Sequence, residues 1–168
     1  MIESNIQEVE NFLSDMAKRT NNLRPIMGMI GEKIVTISKE SFEKEQDPIS
    51  GNAWSPISSA SLFAQTGGKK NSKIKSGKRH TKSFLRDSAN KKILHFRGDL
   101  KKSIDYEATN DSVEMYSDRE YSATHFFGDS ERNIKQRRYM PFTDSLDLGD
   151  KIKDELLEDL GDYILGEN

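Results

Sequence analysis

The chain has 168 residues and no cysteine, with 33% hydrophobic and 32% charged residues. That length accommodates one domain with a thin core, and the lack of thiols excludes disulfides and thiolate metal sites. No apolar run has the length of a leader or a membrane span, so synthesis in a reducing cytoplasm is expected.

The net charge of −2 conceals a segregation. Residues 68–102 hold 13 Lys and Arg against 2 Asp and Glu, while the rest holds 13 basic and 26 acidic residues. Such a split points to an electrostatic partner, either a polyanion or an acidic face of another copy.

In chain order, Ile2, Ile6, Val9, Leu13 and Met16 recur at steps of four and three, which predicts an amphipathic helix. Ser4 with Gln7 reads as a capping box. Thr20, Asn21 and Asn22 end the pattern and offer a new N-cap, with Pro25 in the first turn of a second helix. Leu23, Ile30 and Ile37, with Met27 and Ile34, draw one narrow stripe along that helix. The helix is expected to lie against its own sheet or the first helix, and to stop before Pro48.

Gly51 and Trp54 follow in a turn-rich stretch. The lone tryptophan suits a ring sealing one end of the core, or an interface anchor. Residues 65–82 are rich in Gly, Ser and Lys, and a basic flexible loop is expected at about 65–92. Its Lys69, Lys70, Lys73, Lys75, Lys78, Arg79 and Lys82 are the candidate polyanion contacts. Ile104, Tyr106 and Ala108, then Val113 and Met115, alternate with polar residues around Asn110-Asp111, predicting a β-hairpin at about 103–117. Asn110-Asp111 tolerates positive φ in a tight turn. An aromatic-rich stretch at 121–127 leads to Gly128, and Ile152, Leu156, Leu160 and Ile164 mark a final helix. The reading is one α+β domain over 1–168: N-terminal helices, a small antiparallel sheet and a C-terminal helix.

Phosphate loops, dinucleotide fingerprints and nucleophile elbows are absent. His80 reads as solvated in the basic loop, and His95 as partly buried among apolar neighbours. A catalytic reading of His125 would pair it with Asp118, Glu120, Asp129 or Glu131, although acidic residues are common enough that some lie near any histidine. A metal-dependent hydrolase built on them is the weakest reading; a structural His125, bonded to backbone or at a subunit contact, is the simpler one. No catalytic residue, metal site or cofactor is expected.

Four segments carry a resemblance. The first holds Phe42, Glu43, Asp47, Pro48, Gly51 and Trp54; the second Ile93, Leu94, Gly98, Leu100 and Ile104. The third runs through Tyr121, His125 and Gly128, and the fourth through Arg138, Tyr139, Pro141 and Phe142. In this order they resemble the phage virion-morphogenesis family, which includes tail-completion proteins of contractile-tailed phages such as Mu. The chain departs from the pattern at Phe126, Arg97 and the Pro48–Gly51 spacing.

The resemblance implies a structural protein of the virion, made in the bacterial cytoplasm and acting at the head–tail junction as a homo-oligomeric ring subunit. Its implied partners are other virion proteins: the tail terminator, the tail tube or neck and connector proteins. No membrane partner is implied, and contact with DNA in the channel is an added expectation. It marks Gly51, Trp54, Gly98, Leu100, Tyr121, His125, Gly128 and Arg138 as motif residues for core or interface. The alternative reading is a DNA-contacting accessory protein using residues 68–102.

Overall fold

A computed structural model describes residues 2–65, 80–89, 91–95 and 97–167. Helix α1 spans Ile2–Asn21 and α2 spans Arg24–Lys44. Short helices α3 (Ser59–Gln65), α4 (Lys82–Ala89) and α5 (Asp99–Lys102) lead to β1 (Ile104–Ala108) and β2 (Val113–Ser117). Helices α6 (Ser122–Phe127) and α7 (Asp150–Leu165) complete the order, so the fold is α+β as expected.

Helix α2 is the axis. Its burial is broader than the narrow stripe read from the sequence, because two partners share it. Ile34, with Ile30 and Ile37 beside it, packs against Ile152 and Leu156 of α7. A second face carries small residues, Gly31 and Ser38, and lies under the hairpin. A side chain at Gly31 would enter the ring of Tyr106, so only glycine admits that ring. The Ser38 hydroxyl meets the Met115 sulfur at 3.9 Å.

The hairpin pairs Ile104 with Ser117 and Ala108 with Val113, antiparallel. Its turn differs from expectation: neither Asn110 nor Asp111 adopts positive φ. Instead the Thr109 hydroxyl accepts from the Asp111 and Ser112 amides at 3.2 and 3.0 Å. That frees the Asn110 side chain, whose Oδ1 accepts from the Leu23 and Arg24 amides at 2.7 and 3.2 Å. The α2 N-terminus is therefore capped from the hairpin rather than by the local Asn22. The Ser4–Gln7 capping box fails too, since α1 starts at Ile2 and Gln7 bonds to Asn11.

Helix α2 stops before Pro48, as expected, with Glu45 in the left-handed region at φ 52°. The stretch read as loop at about 65–92 contains α4, capped where the Thr81 hydroxyl accepts from the Phe84 amide at 3.2 Å. His80, read as solvated, is exposed and stacks on Phe84 at 4.7 Å, and Phe63 stacks on Phe84 at 5.3 Å. These aromatic contacts bury Phe84 and hold the helix.

Candidate functional site

The four segments singled out by resemblance meet in one buried cluster. Phe42, Trp54, Ile93, Leu100, Ile104, Phe126 and Tyr139 pack together with Val35 of α2. Phe42 is fully buried and contacts Trp54 edge-on at 5.5 Å and Tyr139 at 5.2 Å. Trp54 seals this core, its Nε1 donating to the Arg138 carbonyl at 2.8 Å.

Polar contacts join the segments pairwise. Glu45 accepts the Trp54 amide on its carbonyl at 2.8 Å and the Ile93 amide on Oε1 at 2.6 Å. Asp47 holds its own turn by accepting from the Ile49 and Ser50 amides, and its other oxygen takes Arg138 Nη1 at 2.6 Å. Arg138 Nη2 donates to Asp144 at 2.5 Å. Burial alone would lower the Arg138 pKa; the Asp144 hydrogen bond and the Asp47 charge outweigh it and raise it. The Tyr139 hydroxyl donates to the Ser122 carbonyl at 3.1 Å, and burial pushes its pKa up to about 12.

The motif glycines serve backbone geometry. Gly51 at φ 70° closes the Asp47 turn, donating to the Asp47 carbonyl at 2.8 Å. Gly98 at φ 72° starts α5 and so points Leu100 into the core. Gly128 ends α6 at φ 79°, ψ 176°, where a side chain would meet Gln136 N at 2.9 Å. That close approach allows the 129–134 bridge.

Tyr121 is half exposed and packs edge-on against His125 at 5.9 Å. His125 Nδ1 is buried and lacks a hydrogen-bond partner, so the expected bond to backbone does not form at that nitrogen. Burial and then the nearby Arg137 charge lower its pKa, favouring neutral imidazole. Among the described residues, no three His, Asp or Glu side chains converge as metal ligands. Lys82 is exposed on α4; Lys69, Lys70, Lys73, Lys75, Lys78 and Arg79 lie outside the described residues.

Sequence reading missed Arg137, and placed Glu43 in the first segment without its ion pairs. Arg137 is 9% exposed and donates to the Ser55 and Pro56 carbonyls, each at 3.1 Å, and burial lowers its pKa. Within Lys135-Gln136-Arg137-Arg138 it carries no signal separating it from a surface cation. Glu43 pairs with Lys101 and, at 2.7 Å, with Lys92; those hydrogen bonds lower its pKa to about 2.

The family model for phage virion morphogenesis matches residues 4–164, nearly the whole chain. The chain belongs to the phage virion morphogenesis family. Among curated proteins and among solved structures, nothing matches it. Membership in the virion morphogenesis family makes this a phage structural or assembly protein that works among other virion proteins. Among the described residues, no helix is long and apolar enough to cross a membrane.

Proposed function

We propose that this protein acts at the head–tail junction, completing the head-proximal end of the tail or joining tail to neck as a ring subunit. The observation that carries the reading is the inward turn of the family segments: they form a core, and the working part is the surface around it. A shared core under a segregated surface charge suits a subunit that repeats its contacts around a ring. The motif residues Trp54, Leu100 and Gly128 then keep the subunit's shape, and Tyr121 and Arg138 at the core's margin are candidates for contact with neighbours. The test is a particle made without this protein. Full heads and tails that fail to join, or tails with an unstable end, are expected in electron micrographs; normal infectious particles overturn the reading.

A second reading, contact with DNA, is favoured by the basic surplus of residues 68–102. Duplex binding through it would weaken with salt by about 0.9 log units in affinity per log unit of salt for each phosphate contacted. Absence of binding at low salt removes it.

A further inference from the structure

Helix α1 stands clear of the domain along most of its length. Every residue from 6 to 15 is exposed, with Ile6, Val9, Phe12 and Leu13 at 46–57%. The helix is tied to α7 at its C-terminal end, where Arg19 Nη1 donates to the Ile164 carbonyl at 3.1 Å and the Tyr163 hydroxyl donates to the Asn22 carbonyl at 3.0 Å. A helix with no cover over such a length is marginal in water, so this one calls for a partner. Ile6, Val9, Leu13 and Met16 step by three and four, a narrow stripe with the spacing of a coiled-coil seam, and Phe12 borders it. The matching partner is another helix with the same seam.

Register, charge and room all favour α1 of a second copy, running the opposite way. Turned end over end at the level of Asn11, the stripe matches itself: Val9 meets Leu13 of the other copy, and Ile6 meets Met16. Residues 2–10 carry Glu3, Glu8 and Glu10 and no cation, whereas residues 12–21 carry Lys18 and Arg19 against Asp15. An antiparallel pair lays each acidic half beside the basic end of the other helix; a parallel pair lays acid beside acid. Lys18 already pairs with Asp15 at 2.7 Å, so the surplus charge of that end is the one positive charge of Arg19. Each domain hangs from the Arg19–Asn22 end of α1, a helix about 30 Å long. Antiparallel pairing therefore sends the two domains to opposite ends, and parallel pairing crowds them at one. The apolar groove of about 620 Å³ between α2, the hairpin turn and α7 suits the stripe less well, because Asp111, Asp147 and Asp150 rim it against Lys153.

We propose that α1 forms an antiparallel two-helix coiled coil with α1 of a second copy. The contact is two-fold, so it closes on itself as a dimer; a ring needs a different, head-to-tail surface. The pairing thus goes beyond the head–tail reading and does not rest on it. The register has one unfavourable consequence: near the axis, Glu10 lies beside Glu10 of the other copy. That like-charge pair is absent from a parallel arrangement, where Glu10 lies nearest Asn5, and so it tells the two apart.

The full chain has no native cysteine, so single cysteines report contacts without background. Mixed Val9→Cys and Leu13→Cys chains are expected to oxidise to a cross-linked pair. Ile6→Cys is expected not to link to itself, because the two copies of residue 6 stand about 15 Å apart along the axis in this register. Self-linking of Ile6→Cys means a parallel pair, and linking of Leu13→Cys to Leu157→Cys in place of Val9→Cys puts the stripe in the groove; either overturns the proposal. In sedimentation, Val9→Ser/Leu13→Ser is expected to weaken the dimer by about tenfold or more. Its melt at a dilution where both chains are monomeric is expected to match that of the wild type, as both residues are open in the single chain. Glu10→Gln is expected to tighten the dimer about threefold. A wild-type chain that stays monomeric at high concentration, serine variants that associate normally, or a Glu10→Gln chain that associates no more tightly refutes the pairing. Failure here leaves the head–tail reading untouched, since that reading is tested on particles and this one on the purified chain.

Discussion

Replacing Gly128 and Gly98 by alanine separates two reasons for a turn glycine within one molecule. Gly98 has φ 72°, ψ 8°, and an added Cβ would meet only the end of Lys102 at 3.8 Å. Gly98→Ala therefore costs the left-handed penalty alone, about 1–2 kcal/mol. Gly128 has φ 79°, ψ 176°, a region essentially reserved for glycine, at about 1–3 kcal/mol. Its Cβ would also lie 2.9 Å from Gln136 N and 3.1 Å from the Ile134 carbonyl, both backbone atoms. Retreat of that segment weakens two bonds at 2.8 Å, Asp129 N to Ile134 O and Arg137 N to His125 O, at about 1 kcal/mol each. The total for Gly128→Ala is about 3–5 kcal/mol. Urea unfolding followed by the fluorescence of Trp54, the sole tryptophan, measures both variants on one scale. A Gly128→Ala loss within 1 kcal/mol of the Gly98→Ala loss would refute the backbone-clash argument.

Asn110→Ala should destabilise by about 1 kcal/mol and speed amide exchange at the first turn of α2, since its two amide bonds cap that helix. Arg138→Ala should lower stability by about 2–4 kcal/mol in thermal or urea unfolding, because it strands Asp47, whose side chain is 14% exposed. Arg138→Lys should recover only part, since one ammonium lacks the fork that holds Asp47 and Asp144 together. His125 has a folded-state pKa below its ordinary 6.5, so the stability it allows is full above 6.5 and falls as pH drops below that value. His125→Gln should flatten that part of the melting-temperature profile; an unchanged slope would assign it to other groups.

Periodicity made α1, the hairpin and α7 legible, because each alternates at its own repeat over enough residues to define a face. Helix α4 was hidden because its stretch is dominated by cations and its lone aromatic, Phe84, is buried only by residues that fold over it, Phe63 and His80. The hairpin position was legible but its turn type was not, since Thr109 supplies the bonds that a positive φ would otherwise have served. The burial of Arg137 and the pairing of Glu43 gave no signal, as a buried cation or a shared carboxylate depends on carbonyls and lysines distant in the chain.

The sequence by itself determined the order of the three long helices and the hairpin, the separation of basic from acidic segments and the family segments. Those follow from residue identity and spacing along the chain. Only the tertiary structure decided that these segments point inward into one core, and that the α1 stripe is left open. Spacing fixes which side chains share a face, but burial depends on what stands opposite, and that is set by how distant elements pack.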